Sequence, residues 1–323
     1  MKILLTGGAG YIGSHVTLSL VDKKHSVVVI DNLVTGNKKL IPSSVEYHNC
    51  DIADSVSIDK ILKKNNFDVV MHFAGLTKVD ESVKYPEKYQ YHNFEKSKIF
   101  FQSCFNNNLK NILFSSTAGI YGNTSNTQVK ETDELKPINP YAESKFNIEK
   151  FLIESSKNKK INYTILRYFN VAGADIKKRS GLISDSSTNL IKVLCEAATK
   201  KRDKIIINGE DHKTKDGTPI RDFIHVSDIA EIHILAAKYI HENSESDIFN
   251  CGYGKGYSVK EVIKEMEHII GGKLKVEIGS RREKDISISI ANSDKFRKKF
   301  NWKPKFNNLN YILKTALEWE KIN

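Results

Sequence analysis

The sequence predicts an α/β protein with a doubly wound parallel sheet first and a smaller mixed α/β domain after it. Three observations support this prediction. Short apolar runs, typical of buried parallel strands, alternate with segments of helical period up to residue 170. A glycine-rich turn joins the first run to a helix, and the next run ends at an acidic residue. Beyond residue 170 the alternation becomes irregular.

Length and composition exclude several classes of protein. At 323 residues, with 40% hydrophobic and 28% charged residues, the chain can bury a large core. No apolar stretch approaches the ~20 residues of a membrane span. The chain also opens directly on the first predicted strand. We therefore expect a cytoplasmic protein with no membrane partner.

Charge and cysteine content point to an ordinary enzyme surface. The net charge of +11 would suit a nucleic acid, but the lysines are spread along the chain, which favours anionic small-molecule substrates and no nucleic-acid partner. The four cysteines are scattered, without metal-ligand spacing. We expect reduced thiols and no metal site.

The glycine turn after the first strand has the pattern of a dinucleotide-binding site. Gly7 allows a sharp turn, Gly10 leaves room for a pyrophosphate, and Gly13 allows the following helix to pack closely on the sheet. The second strand, Val27–Ile30, ends at Asp31, whose carboxylate can accept hydrogen bonds from a ribose and would repel a 2′-phosphate. The order predicts a Rossmann-type fold that binds NAD rather than NADP.

The next segments continue the sheet. A third strand, Val45–His48, leads to Asp51, which either binds the adenine amine or caps the helix that begins near Ser55. A fourth strand within 67–75 ends at Ala74 and Gly75, which are small enough to lie flat against a cofactor.

The fourth strand also contains His72, whose neighbours are apolar, so we expect a packed core histidine. A helix is predicted over 94–108, with Asn93 just before it. The fifth strand, Asn111–Thr117, ends in hydroxyl groups, and a loop over 122–140 leads to a helix opened by Tyr141.

The later chain fixes the expected domain division. A sixth strand covers 162–166, helices are expected over 190–199, from residue 225 and over 258–270, a strand over 273–278, and a last helix after 302–304. We expect an NAD-binding domain over 1–170, with segments near 220–240 packing back on it. Residues 171–323 are expected to form mainly a substrate domain.

Tyr141 and Lys145 lie four residues apart, so they share a helix face. A free tyrosine titrates near ~10, too high for a base at neutral pH. A lysine ammonium and a cationic nicotinamide would lower that pKa. Together with the hydroxyl of Thr117, the pair predicts proton-coupled hydride transfer at a carbinol carbon.

Several segments identify a family. The chain resembles the UDP-glucose 4-epimerases, members of the extended short-chain dehydrogenase/reductases, over essentially its whole length. The matching segments are 6–15, 72–76, 114–118, 121–122, 140–145, 166–174, 201–203 and 216–226. The resemblance implies that Tyr141 removes the proton of the sugar 4-hydroxyl, that Thr117 relays it, and that NAD accepts and returns the hydride.

The resemblance also implies binding residues and an assembly. Expected cofactor contacts are Gly7, Gly10, Tyr11, Ile12, Gly13, Asp31, Asn32, Asp51, Ile52, Phe73, Ala74, Gly75, Asn93, Tyr141, Lys145 and Phe169. Expected contacts to the UDP-sugar substrate are Thr117, Asn170, Asn189, Arg221, Arg282, Asp285 and Ser289. A homodimer is expected through helices near 94–108 and 143–156.

Other functions stay open, and a few residues differ from the usual pattern of the family. Related dehydratases carry an Asp-Glu pair where this chain has Ala118 and Gly119. Another NAD-dependent sugar-nucleotide oxidoreductase or dehydratase, or a non-enzymatic dinucleotide-binding protein, stays an alternative. Thr77 replaces a usual lysine and Asn208 a usual aromatic residue. Ser289 stands where some members have tyrosine, which either admits N-acetylated sugars or accompanies local repacking.

Overall fold

The computed structural model describes residues 1–124, 127–159, 161–184 and 187–323. Two compact units emerge from its backbone contacts. The first comprises Met1–Ile120, Pro137–Arg167 and Ala230–Phe249. The second comprises Tyr121–Lys136, Tyr168–Ile229 and Asn250–Asn323. Which unit binds NAD and which binds substrate stays a prediction.

The strands named here are those of the described residues. In chain order they are β1 (Lys2–Thr6), β2 (Ser26–Asp31), β3 (Glu46–Asn49), β4 (Val69–His72), β5 (Asn111–Thr117), β6 (Asn162–Tyr168), β7 (Asn170–Ala172), β8 (Ile205–Asn208), β9 (Ile220–His225), β10 (Asp247–Cys251), β11 (Gly256–Ser258), β12 (Val276–Gly279) and β13 (Ile288–Ser289).

The α-helices are named in the same way. They are α1 (Tyr11–Asp22), α2 (Ser55–Lys64), α3 (Val79–Lys84), α4 (Pro86–Tyr89), α5 (Lys96–Asn106), α6 (Pro140–Lys159), α7 (Leu190–Ala198), α8 (Val226–Asn243), α9 (Val259–Ile270), α10 (Asp294–Phe300) and α11 (Leu309–Ile322). A π-helical stretch, Gln90–Glu95, connects α4 to α5. Asn93 therefore lies inside a helical segment, not before one.

The central sheet has seven strands in the order β10-β6-β5-β4-β1-β2-β3. β1 pairs in parallel with β2 and β4, β2 with β3, and β4 with β5. The order reverses at β1, as in a doubly wound sheet, so the ends of β1, β2 and β4 meet at a switch point. The predicted fold class is confirmed.

The core of the first unit lies between this sheet and its helices. Buried side chains of α2, α5 and α6 pack on the apolar strands. Phe101, Phe105 and Phe151 stack with ring centroids 6.3–6.4 Å apart and nearly parallel planes. His72 is fully buried and bonds Thr6 and Ser97 at 2.8 Å each, so it is the core histidine that the sequence predicts.

The second unit contains two small sheets. In one, β9 pairs in parallel with β7 and β13 and antiparallel with β11. In the other, β8 pairs in parallel with β12. Helix α9 begins with a capping box formed by Ser258 and Glu261, and ends at Gly271 in the left-handed conformation.

Candidate active site

The turn after β1 has no room for side chains. Gly7 has φ +75°, and a Cβ there would lie 2.6 Å from the amide nitrogen of Ala74. A Cβ on Gly13 would lie 2.2 Å from the carbonyl oxygen of Gly7. Glycine is required at both positions. The close neighbour of Gly13 is the turn itself, rather than a strand as the sequence suggests.

The glycine turn leads directly into the start of α1. Gly10 is the N-cap, and no side chain caps the helix. The first helical hydrogen bond runs from the Ser14 amide to the Gly10 carbonyl at 3.0 Å. The amides of Tyr11, Ile12 and Gly13 precede this bond and point toward the helix start, where an anion is favoured.

Asp31 ends β2 beside this turn and is buried. Its Oδ2 accepts the Ala9 amide at 2.9 Å, and its Oδ1 accepts the Leu33 amide at 2.8 Å. Burial raises the pKa of Asp31, and the two backbone donors oppose that shift. Each carboxylate oxygen keeps a lone pair that a ribose hydroxyl could use.

Asp51 does not cap α2, so that alternative is wrong. The cap is Asp54, whose carboxylate accepts the Ser57 amide at 3.1 Å. Asp51 instead accepts Lys96 Nζ at 2.6 Å and Asn32 Nδ2 at 3.0 Å. Although partial burial opposes ionisation, these bonds hold the pKa of Asp51 below its usual value. No sequence pattern marks Lys96, which belongs to a helix of ordinary composition.

The exit of β4 is held by Asn93. The fully buried Asn93 accepts the Leu76 amide at 2.7 Å and donates to the Leu76 carbonyl and to Ser144 Oγ, both at 3.0 Å. Gly75 has φ +153°, and a Cβ there would lie 3.1 Å from Asn93 Oδ1 and 3.5 Å from Lys145 Nζ. The observed role of Asn93 is to clamp this loop. Its cofactor contact stays a prediction.

Three further predicted cofactor residues of the first unit have protein neighbours. The ring of Tyr11 lies edge-on to His15 at 5.2 Å, and the ring of Phe73 lies 4.8 Å from His233. Ile52 is buried next to Asp51. Their contacts to a cofactor stay predictions.

Local sequence explains the position of Tyr141. Asn139 accepts the Ala142 amide at 2.9 Å, and Pro140 is the first residue of α6. Both are typical of a helix start. Tyr141 therefore lies in the first turn, and its ring packs edge-on against Tyr89 with centroids 6.5 Å apart. Sequence reasoning missed Tyr89, which is fully buried and donates to Glu81 at 2.9 Å.

Tyr141, Lys145 and Thr117 come together at the end of β5. The hydroxyl of Thr117 is near enough to that of Tyr141 to favour its ionised form. Lys145 is buried, donates to the carbonyl of Ser115 at 3.2 Å, and lies 5.1 Å from the ring centroid of Phe114. The three residue types predicted for proton transfer are thus neighbours.

The predicted lowering of the Tyr141 pKa depends on the lysine and nicotinamide charges together and stays a prediction. Burial raises the pKa of Tyr141, and only the nearby Thr117 hydroxyl opposes the shift. Burial also lowers the pKa of Lys145 to about 8. Desolvation outweighs the attraction between ammonium and phenolate here, so a low Tyr141 pKa needs a further positive charge.

In the second unit, Arg221 of β9 pairs with Asp285 at 2.8 Å. Burial lowers the pKa of Arg221, but an arginine remains charged at neutral pH. Ser289 of β13 lies opposite Arg221 in register. With its amide oxygen facing Arg282, Asn208 accepts two guanidinium hydrogen bonds at 3.2 and 3.3 Å.

The other predicted substrate residues have structural roles in this unit. Asn189 caps α7 by accepting the amides of Ile191 and Lys192 at 3.1 and 3.2 Å. Asn170 opens β7 opposite Phe223. Phe169, a predicted cofactor contact, is buried. Contacts of these residues to ligands stay predictions.

Membrane-spanning helices and metal-binding clusters are both absent from the described residues. No helix among them has the length and apolarity needed to cross a membrane. In that same part of the chain, no three histidine, cysteine or acidic side chains are grouped so that they could hold a metal ion. The four cysteines are free thiols, and three of them are buried.

Comparisons with known proteins agree with this geometry. The model of the NAD dependent epimerase/dehydratase family matches residues 3–252. The UDP-glucose 4-epimerase of Azospirillum brasilense is 39% identical over 320 residues, which are 99% of this chain and 92% of that protein. Two solved structures are also similar over nearly whole chains.

One is a UDP-glucose-4-epimerase from Stenotrophomonas maltophila with bound NAD and formylated UDP-arabinopyranose. It has a TM-score of 0.95 and 30% identity, and the match covers 100% of this chain and 98% of that one. The other is the UDP-Glc/GlcNAc 4-epimerase of Campylobacter jejuni, with a TM-score of 0.85 and 42% identity, covering 100% and 99%.

Proposed function

This chain belongs to the NAD dependent epimerase/dehydratase family, and we propose that it is an NAD-dependent UDP-glucose 4-epimerase. As an isomerase, it interconverts UDP-glucose and UDP-galactose. The observation that carries the proposal is the grouping of Thr117, Tyr141 and Lys145 at the end of β5, where Lys145 donates to the Ser115 carbonyl and the Thr117 hydroxyl favours ionisation of Tyr141.

The residues around the glycine turn fit NAD. The uncapped start of α1 offers amide donors for a pyrophosphate, and the close packing of Gly7 and Gly13 keeps side chains away from it. The spare lone pairs of Asp31 suit the ribose hydroxyls and disfavour a 2′-phosphate. Asp51 is held ionised and suits the adenine amine.

The mechanism follows from the chemistry of these residues. Bound NAD supplies a reversible hydride acceptor and a positive charge. Tyr141, once ionised, removes the proton of the sugar 4-hydroxyl, and Thr117 orients that hydroxyl and passes the proton. Lys145 holds a positive charge nearby. Because the hydride that NAD would accept from C4 would be returned to the opposite face, Tyr141 would give the proton back to the 4-oxygen and no net oxidation would occur.

The same residues disfavour the alternative reactions. A dehydratase needs an acid and a base after the threonine, but Ala118 and Gly119 have no side chain that could carry a proton. A net oxidoreductase would release reduced cofactor. A binding protein without catalysis would not need the costly burial of Lys145 beside Tyr141.

For the substrate, Arg221 and Arg282 suit the UDP diphosphate, because guanidinium groups give paired donors. Asp285 holds Arg221 in place. At Asn208, where an aromatic residue is usual, the amide bonds Arg282 and so contributes to the orientation of that guanidinium.

Incubation with UDP-galactose tests the function. We expect UDP-glucose as product and no free NADH during turnover. Stoichiometric NADH in solution would indicate a net oxidoreductase, and a 4-keto-6-deoxy sugar nucleotide would indicate a dehydratase. Either result would reject the proposal.

Activity on N-acetylated sugars is a second candidate. Ser289 is small and lies in register with Arg221, and the similar Campylobacter jejuni enzyme is named for both UDP-Glc and GlcNAc. We expect conversion of UDP-GalNAc by the wild type and by Ser289→Ala. Ser289→Tyr should lose it while UDP-galactose turnover persists. No conversion by the wild type would reject the candidate.

We also propose a cytoplasmic homodimer assembled through α5 and α6. Phe101, Phe105 and Phe151 stack on one another within the unit, whereas Ile99 of α5 and Tyr91 of the π-helical stretch before it are exposed by 41% and 54%. Light scattering should give twice the 36.7 kDa chain mass. Ile99→Glu should shift the protein toward monomer, and a wild-type monomer would contradict the proposal.

A further inference from the structure

The helix that carries Tyr141 and Lys145 also carries a buried carboxylate on the same face. Glu149 follows at the next spacing of four residues. Its side chain is 1% exposed and that of Arg167, at the end of β6, is 2% exposed. Arg167 Nη2 lies 2.7 Å from Oε2 of Glu149 and Arg167 Nε lies 3.1 Å from Oε1, a two-pronged ion pair.

Strand β5 joins this pair through Ser116. Its hydroxyl donates to the carboxylate of Glu149. The neighbours of Ser116 on the strand are Ser115, whose carbonyl accepts Lys145 at 3.2 Å, and Thr117, whose hydroxyl favours ionisation of Tyr141. Two successive residues of β5 therefore hydrogen-bond two successive positions on one face of α6, and the third residue lies near the remaining position.

Stability alone is a weak explanation for such a pair. Removing two charges from water costs several kcal/mol per ion, and apolar side chains of similar size often replace a buried pair without loss of stability. Apolar contacts have no preferred direction, so they tolerate small shifts of a helix along a strand. The hydrogen bonds of a forked ion pair with a third donor have good geometry in only one register.

We propose that Glu149, held by Arg167 and Ser116, is a positioning residue that fixes the register of α6 on β5. It thereby holds the Tyr141 hydroxyl at Thr117 and the Lys145 ammonium at Ser115. Glu149, Arg167 and Ser116 do not themselves contact the reacting groups. The kinetic consequence rests on the proposed epimerase function, but the positioning of Tyr141 does not.

The decisive variant is Glu149→Met combined with Arg167→Leu, which removes both charges and leaves neither unpaired. We expect a folded protein that binds NAD, with kcat for UDP-galactose at least about tenfold lower, because small misplacements of reacting groups are costly. KM should stay within about twofold, since binding groups are unchanged.

The ionisation of Tyr141, measured by spectroscopy, tests its positioning independently of catalytic activity. Tyrosinate formation is followed by ultraviolet difference titration, with each variant compared to the same variant carrying Tyr141→Phe. The Thr117 hydroxyl opposes the rise in the Tyr141 pKa, so its displacement should raise that pKa further. This readout remains informative even if the wild type shows no epimerase activity, an outcome that would reject only the proposed function.

Two further variants complete the test. Ser116→Ala removes one hydroxyl and should show the same changes in kcat and Tyr141 titration, to a smaller extent. If the double variant fails to fold, Ser116→Ala alone tests the positioning role. Glu320→Gln alters another buried pair, with Lys192 at 2.6 Å in the second unit, and should change the thermal midpoint alone. Wild-type kcat and Tyr141 titration in folded Glu149 and Ser116 variants would overturn the proposal.

Discussion

Tyr141 shows at the scale of one residue how burial and charge compete. The sequence places a lysine one turn away, which suggests an acidic phenol. The structure buries Lys145 and partly buries Tyr141, and this desolvation raises the pKa of Tyr141 and lowers that of Lys145 to about 8. The spacing of four residues was predictable from the sequence. Desolvation was not, because it depends on the strands and loops packed around the pair.

Substitution of Tyr141 tests its role directly. Tyr141→Phe removes the only proton acceptor proposed for the 4-hydroxyl, so kcat for UDP-galactose should fall about a hundredfold or more. The variant should still bind NAD, because the turn and Asp31 are unchanged. Activity near the wild-type level would contradict the assignment of Tyr141.

Burial of Lys145 should also appear in stability. Its pKa is lowered from 10.5 to about 8, so between these pH values the unfolded chain holds a proton that the folded chain has released. The free energy of unfolding should therefore rise with pH across this window, by at most about 3 kcal/mol from this group.

Denaturant unfolding measured from pH 8 to below pH 10 gives the net slope of all groups, to which the buried cysteines, whose pKa values burial raises, contribute with the opposite sign. Lys145→Met should reduce it, whereas Lys150→Met, on the exposed side of the same helix, should leave it unchanged. An undiminished slope in Lys145→Met would show that other groups cause the dependence.

At the scale of elements, hydrophobic pattern predicted the long and regular parts well. The strand–turn–helix–strand beginning and α6 follow from apolar runs and helix-start signals. The short strands β7, β8, β9, β10, β11 and β13 were missed. In β9, Arg221 and Asp222 resemble a polar loop. Only the structure shows Asp222 fully buried, accepting the amides of Tyr253, Gly254 and Ala291 at 2.8–3.1 Å.

The loop before α2 offers a matched pair of tests. Asp54→Ala removes the observed cap, so it should lower the free energy of unfolding without changing the Kd for NAD. Asp51→Asn should weaken NAD binding and leave the free energy of unfolding nearly unchanged. Equal NAD affinity in both variants, measured by calorimetry, would show that Asp51 does not contact the cofactor.

At the scale of the whole molecule, net charge becomes relevant. The chain carries +11, and a UDP-sugar is an anion. Attraction of this kind is screened by salt. We expect kcat/KM for UDP-galactose to fall severalfold as sodium chloride is raised, with kcat nearly constant. An unchanged kcat/KM would mean that the surface charge does not assist substrate capture.

The chain passes from one compact unit to the other after Ile120, Lys136, Arg167, Ile229 and Phe249. Neither unit is therefore an unbroken piece of polypeptide. No single cut in the chain separates the two units, because any fragment that contains all of one unit also carries segments of the other. Each unit consists of three segments, and the chain between those segments belongs to the other unit. We therefore expect both units to melt in a single calorimetric transition.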